Sequence, residues 1–336
     1  MRILLVGPGR LPIPPPGYGG IERYLYEYGR ALERAGHSVR ILNGVRPGVY
    51  SRGWTFERQL PHLLRSRTEE IVHAHVSRAG VVLGLAGIPF VYTTHNPDWF
   101  APRGSRHPGG LEGERFAVRF AQATVAFSDR LRTRVEGVGW RRGPVVTIPL
   151  GVDTDKFRAT GPGDPTVALG VGEVAPRKRW HLAAQALHGS SVRLTVVGPI
   201  RDRAYASQLE ALGSTLTGEL TEEALLRAFD GAGVVVHPSD REALPGAVLQ
   251  GLSFGRPVVG GATIASIEGV LAAPSDDPAT VEAFIRGSVD RLGQDPSFRA
   301  AVGRRARESA EQHYAWGAIV RAHLTLYERV LARSRS

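Results

Sequence analysis

Glu242 and Gln250 are separated by the seven residues ALPGAVL within the stretch HPSDREALPGAVLQGLSFGRPVVGG, residues 237–261. A strand is expected to end at His237-Pro238-Ser239. A short loop then carries Asp240, Arg241 and Glu242. Pro245 stands where a helix would begin, a favoured place for proline. The N–H groups of Gly246, Ala247 and Val248 would be open at that helix start, where unpaired donors and the helix dipole hold phosphate. Glu242 would lie on the loop beside the phosphate, and Gln250 deeper along the same helix. One polar group near a phosphate and one further in suit a sugar nucleotide.

Two other segments carry chemistry of the same kind. PPPGYGGIERY (14–24) follows the first expected strand, and its Gly17, Gly19 and Gly20 free the backbone at the start of a long helix. That is again a phosphate cradle. The prolines at 12 and 14–16 stiffen this loop. VGEVAPRKRWHL (171–182) places Lys178 between Arg177 and Arg179, and Lys178 is one of only two lysines, the other being Lys156. His95 ends the apolar run PFVYTTH; the carboxyl end of a parallel strand is where open α/β sheets bind ligands. His73 and His75 share one face of a strand and are read as structural. No histidine pair has a carboxylate at metal-binding spacing. Asp276-Asp277 reads as a loop and a helix start, so no metal site is expected.

The elements that must position these residues are short apolar runs alternating with helical patterns. Strands are expected at 2–7, 38–44, 70–75, 89–95, 124–128 and 145–149. A second series is expected at 166–172, 192–198, 234–239 and 256–261. Near-continuous apolar runs fit parallel strands buried on both faces. Amphipathic stretches such as 21–36 lie between them. At 221–229, Thr221 is a capping hydroxyl, followed by the acids Glu222 and Glu223. The repetition implies βαβ units with right-handed crossovers. The series breaks once, at the glycine-, proline- and aspartate-rich GVDTDKFRATGPGDP (151–165), which reads as an interdomain linker.

Taken jointly, these segments resemble the retaining glycosyltransferases of the GT-B fold, family 4 (glycosyl transferases group 1). That family's signature is a glutamate, seven residues and a second glutamate, then a helix and a glycine–proline–valine turn. Here Glu242, Gln250, Gly255, Pro257 and Val258 take those places. The resemblance implies that Glu242 holds donor-sugar hydroxyls and that residue 250 faces the nucleotide ribose. A glutamine there offers one acceptor oxygen and a donor nitrogen in place of a carboxylate. The family's diphosphate clamp is an arginine after a glycine and a lysine five residues on. Gly172 and Lys178 match, Glu173 replaces the arginine, and Arg177 or Arg179 could supply the charge. The resemblance also implies that Gly19 and Gly20 lie near acceptor or diphosphate and that His95 contacts the donor sugar. VTIPLGVDTDKF (146–157) resembles the family's hinge, and residues 314–331 its closing helix.

The implied α/β architecture is two Rossmann-like domains with parallel sheets flanking an interdomain cleft. Residues 1–152 form the acceptor side, 153–165 a linker and 166–314 the nucleotide-sugar domain. Residues 315–336 form a helix returning to the first domain. The expected reaction is hexosyl transfer from a UDP-, GDP- or dTDP-sugar to a small-molecule, glycan or lipid-linked acceptor, with retention, without metal and with no permanently bound cofactor. A sugar-nucleotide 2-epimerase of the same fold and a non-catalytic basic binding protein are the alternatives.

Bulk composition agrees with this reading. The 336 residues exceed one usual core, and 42% hydrophobic with 22% charged residues is the balance of a globular protein. There is no cysteine, so disulfide and thiolate chemistry are excluded. No apolar run is long enough to span a bilayer, and no signal peptide is read at the N-terminus, so a cytoplasmic location is expected. The net charge of +10 favours phosphorylated substrates and allows peripheral contact with an anionic membrane. The arginines are dispersed, which argues against nucleic acid as a partner.

Overall fold

A computed structural model describes residues 1–9, 11–15, 19–44, 57–65, 67–100 and 111–335. Gly17 and Pro16 of the glycine-rich turn lie outside the described residues. The chain divides into two compact units, Met1–Gly151 with Trp316–Ser336, and Val152–Ala315.

The first unit is built on β1 (Arg2–Val6), β2 (Ser38–Leu42), β3 (Ile71–Ala74), β4 (Val91–Thr93), β5 (Ala123–Ala126) and β6 (Val145–Thr147). These form one parallel sheet in the order β2-β1-β3-β4-β5-β6. Its helices are α1 (Gly20–Arg34), α2 (Leu60–Leu63), α3 (Ser77–Leu85), α4 (Leu111–Phe120) and α5 (Asp129–Glu136). β1, β3, β4 and β5 bury nearly every residue, which is why their sequences run apolar instead of alternating.

The second unit has β7 (Asp164–Val171), β8 (Arg193–Val197), β9 (Thr215–Gly218), β10 (Ala232–His237), β11 (Val258–Gly260) and β12 (Leu271–Ala272). They too form one parallel sheet, in the order β12-β11-β10-β7-β8-β9. Its helices are α6 (Trp180–Leu187), α7 (Arg203–Ala211), α8 (Glu222–Gly231), α9 (Gly246–Ser253), α10 (Pro278–Gln294) and α11 (Pro296–Ser309). Trp180, Leu194, Val196, Val234, Val236 and Val259 lie in its core. β9 and β12 were not anticipated. β9 is an edge strand whose residues alternate between exposed and half-buried, and β12 has two residues, so neither makes an apolar run. The Thr221 cap is present, its side chain accepting from Ala224 N–H, and Asp277 caps α10 in the same way through Thr280 N–H.

Residues 152–163 pack within the second unit. Val152 N–H donates to Tyr314 O at 2.8 Å, Phe157 is buried, and Arg307 Nη1 donates to the carbonyls of Thr154 and Phe157. Glycine and proline shape this stretch locally, but these side-chain anchors hold it, and such anchors have no periodicity to read.

The last helix, α12 (Trp316–Arg335), belongs to the first unit, where it packs against α1. Its contact is aromatic. Tyr28 and Tyr327 hydroxyls are 2.8 Å apart, and Tyr327 also bonds His73 Nδ1 at 2.6 Å. His73 Nε2 reaches Thr93 Oγ1 at 2.7 Å. The rings of His73 and His75 lie tilted with centroids 4.1 Å apart, and the His323 ring centroid is 4.7 Å from that of Tyr28. His73 and His75 are thus buried in packing, as their strand face implied. Burial holds them well below the ordinary histidine value, and pushes His323 down to about 4.

These histidines are neutral when folded and must take up protons on unfolding in acid. The unfolded chain binds more protons between the folded values and the ordinary 6.5, so stability is whole above that range and falls as pH drops through it. The melting temperature should therefore be level near neutrality and decline steadily from about pH 6.5 towards pH 4. Calorimetric scans over that range check it, and a level profile would contradict the neutral cluster.

Candidate functional site

In the second sheet the chain builds β7, β8 and β9 in one direction, then returns to build β10, β11 and β12 in the other. The reversal lies between β7 and β10. No crossover helix covers the carboxyl ends of the strands there, so a crevice forms where ligands bind.

The segment after β7 enters this crevice. Gly172 (φ 154) makes the turn, and a Cβ there would meet Trp180 and Lys178 at ordinary contact distance. Trp180 is fully buried under Gly170, where a Cβ would stand 2.7 Å from its ring. Its Nε1–H donates to Glu173 O at 2.9 Å. This anchor fixes the start of α6 and, with it, Lys178. Arg179 is the one non-glycine residue at positive φ among the described residues, at 55°. Such a conformation costs of order 1 kcal/mol and collects at functional sites. It is held by Arg179 Nη1 donating to Asp276 O at 2.9 Å, with Asp240 3.6 Å away.

The segment after β10 enters from the other side. Glu242 Oε1 accepts from Lys178 Nζ at 2.5 Å, both side chains being largely buried. Burial pushes the Glu242 carboxyl up, but Lys178 and His237 together draw it below its ordinary value. His237 ends β10, packs edge-on against Trp180 and has Nε2 3.8 Å from Glu242 Oε1. Burial lowers its pKa to about 4, so it is neutral. His237 Nε2 and Ser239 Oγ are buried with no hydrogen-bond partner among the described residues. Unsatisfied buried polar atoms are costly, and His237 Nε2 is one that faces the ion pair.

Sequence reasoning gave His237 and Ser239 no role. Their signal was position, at the end of an all-apolar strand. Arg177 also differs from a free cation, because its Nε donates to Glu173 Oε1 at 2.5 Å. The residue replacing the expected arginine thus occupies its neighbour's charge.

Helix α9 starts one residue later than expected. Pro245 is its cap, with φ −80 and ψ 116. Val248 is fully buried and its N–H donates to Pro245 O at 3.1 Å. Among the described residues the open donors of the first turn are therefore Gly246 and Ala247, and Val248 is not one of them. The carbon-free face of Gly246 has no atom within 4 Å of where a Cβ would be. Gln250 is half-buried on the same helix, and its side chain has no hydrogen-bond partner among the described residues.

In the first unit the reversal lies between β1 and β3. Gly19 caps α1 (φ −169), and a Cβ on it would press on Leu11, Pro15 and Glu22 at 3.0–3.2 Å. Gly20 is open. Glu22 is buried in the first turn, so a carboxylate already lies against this helix end. His95 follows β4, with Nε2 3.2 Å from His75 Nδ1 and its ring against Tyr24 and Phe127. Burial lowers its pKa to about 3. His95 Nδ1 has no hydrogen-bond partner among the described residues. Among the described residues no group of three or more histidine, aspartate or glutamate side chains could hold a metal ion.

Residues 18–156 match the sequence model of Glycosyltransferase Family 4, and residues 165–288 match that of Glycosyl transferases group 1. No curated protein matches the chain by sequence. Among solved structures, sucrose-phosphate synthase from Thermosynechococcus elongatus superposes with a TM-score of 0.80 at 20% identity, covering 99% of each chain. AviGT4, a glycosyltransferase of avilamycin A biosynthesis, gives 0.71 at 22% identity over 98% of each chain. HepE from Anabaena, solved with UDP and glucose, gives 0.73 at 16% identity, covering 97% of this chain and 99% of its own. The fold is GT-B, two Rossmann-like units each on a parallel sheet. The chain belongs to the family 4, group 1 glycosyltransferases and is a transferase enzyme.

The Lys178–Glu242 pair should be measurable. Lys178→Met and Glu242→Gln each leave a partner exposed to an unmatched field. The double variant K178M/E242Q should lose less than the sum, with a coupling of about 1–3 kcal/mol in denaturant unfolding. Strictly additive losses would show that the two side chains do not interact.

Proposed function

We propose that the second unit binds a nucleoside diphosphate sugar and that the enzyme transfers its sugar to an acceptor with retention and without metal. The observation that carries this is the Lys178–Glu242 pair at the reversal of the second sheet, beside the open amides of Gly246 and Ala247. The diphosphate suits those amides, the positive end of α9 and Lys178. Arg179 is a second cation at the same turn, whereas Arg177 must first leave Glu173. Glu242 would accept the donor-sugar hydroxyls, supported by His237 Nε2 and Ser239 Oγ. Gln250 would hold the ribose. In the first unit, neutral His95 offers Nδ1 to a sugar ligand, and Gly19 and Gly20 leave the backbone accessible there.

In the reaction the anomeric carbon–phosphate oxygen bond breaks and an acceptor oxygen bonds to that carbon. The acceptor proton passes to the departing phosphate oxygen, so no protein nucleophile is required. Negative charge grows on the leaving diphosphate, and fixed donors aimed at it are worth more in a water-poor site than in bulk solvent. Lys178 and the helix end do what a divalent cation does elsewhere. The HepE complexes with UDP and UDP-glucose make a uridine donor the first to test. No described helix is long and apolar enough to cross a membrane; a lipid-linked acceptor would be met at the surface of one.

A panel of UDP-, GDP- and dTDP-sugars assayed in EDTA tests the reading. Release of nucleoside diphosphate, with slow hydrolysis when no acceptor is present, is expected. An epimerised sugar, or activity that needs added magnesium or manganese, would overturn it. Glu242→Ala should lower turnover about a hundredfold or more at temperatures where the variant is still folded, although leaving Lys178 buried without its partner lowers the melting temperature. For Gln250, calorimetric affinity for the cognate nucleoside diphosphate discriminates. Gln250→Leu should weaken it and Gln250→Glu strengthen it by up to about tenfold. Equal binding by the leucine variant would remove residue 250 from the ribose.

A further inference from the structure

Helix α9 carries the proposed donor site at its amino end. Its carboxyl end, some eight residues or about 12 Å away, borders a separate pocket of about 380 Å³. That volume lies in the range of roughly 300–1,000 Å³ typical of small-molecule sites. Four arginines line it, Arg256, Arg299, Arg304 and Arg307, and no aspartate or glutamate does.

Two of these arginines have structural work. Gly255 (φ 63) ends α9 in the left-handed conformation. The last carbonyls of α9 are then capped by Phe254, Gly255 and Arg256 N–H groups and by Arg307 Nη1, which donates to Ser253 O. Arg307 also pairs with Glu311 at 2.7 Å. Arg256 donates to Phe229 O and pairs with Asp230 at 3.1 Å. The charges of these two are matched.

Arg299 and Arg304 are not matched. Among the described residues Arg299 donates only to Leu292 O, through Nη1 at 3.2 Å. Arg304 is exposed and has no hydrogen-bond or ion-pair partner among the described residues. They stand five residues apart on α11, which approaches α9 closely because Gly303 has no side chain; a Cβ there would sit 2.6 Å from Gly255 O. The remaining wall is apolar, with Phe254, Pro162, Pro257 and Pro296. Guanidinium groups present paired donors that match phosphate oxygens.

We infer that this pocket binds a phosphoryl anion on Arg299 and Arg304, with the apolar part of the ligand against Phe254 and the prolines. The ligand is a phosphorylated small molecule or the phosphate headgroup of a lipid. The inference is independent of the donor reading, since none of these residues belongs to the donor site.

Inorganic pyrophosphate is the probe, titrated calorimetrically into the K178M/E242Q protein, in which the site at the other end of α9 is weakened and whatever binding remains at its amides is common to both proteins compared. Saturable one-site binding is expected, weakened about tenfold or more when R299Q/R304Q is added. The melting temperature should be unchanged by R299Q/R304Q, because neither side chain supports a buried partner beyond one carbonyl. Sedimentation with phosphatidylcholine vesicles doped with phosphatidic acid separates the two sources. Co-sedimentation lost in R299Q/R304Q identifies a headgroup ligand; pyrophosphate binding without vesicle binding identifies a soluble one. No saturable binding, binding equal in R299Q/R304Q, or binding abolished by sodium chloride of the same ionic strength would overturn the inference.

Discussion

An ion pair between residues 64 positions apart, Lys178 and Glu242, organises the second unit's site. Lys178 ends a short 3-10 turn, Pro176–Lys178, and Glu242 stands on the loop after β10. Together, at 2.5 Å, they tie the turn after β7 to the turn after β10. Two charges this buried are tolerated only when paired, because desolvation of either alone costs several kcal/mol. The pair therefore needs rigid supports. Trp180 anchors one side through its indole N–H and the close face of Gly170, and the buried end of β10 anchors the other. The left-handed Arg179 between Lys178 and Trp180 shows how tightly that turn is drawn.

The same requirement shapes the sheet. A parallel strand buried on both faces cannot carry a charged residue along its length, so polar groups collect where strands end. The order β10-β7 at the centre of the second sheet brings two such ends together. The first unit follows the same plan between β1 and β3, with a different outcome. There the polar groups are neutral histidines packed among tyrosines, two of which, Tyr28 and Tyr327, join α1 to α12. One sheet end thus holds a buried ion pair, while the other presents uncharged rings.

Helix α9 couples local chemistry to architecture at both of its ends. Gly246 and Ala247 leave donors open at one, and Arg256 and Arg307 close the acceptors at the other. Satisfying the carboxyl end with side chains from the turn and from α11 concentrates arginine there. Two more arginines with no carboxylate between them then make a basic pocket, a result no single residue would suggest.

Much of this was legible in the amino-acid order, for physical reasons. Apolar runs give parallel strands; Thr221, Pro245 and the glycines mark helix starts; and the spacing from Glu242 to Gln250 places both on one loop–helix unit. These are local properties, set within about ten residues by backbone sterics and burial. The edge strand β9 and the short β12 escaped because they are half-solvated or too brief to leave a pattern. What only the tertiary structure decided is which loops meet. That Glu173 takes up Arg177, that Lys178 pairs with Glu242, that His237 and Ser239 lie unpartnered beside them, and that four arginines from 256 to 307 share one pocket all depend on strand order. Strand order follows from burying two faces of a sheet at once, a property of the whole chain and of no segment within it.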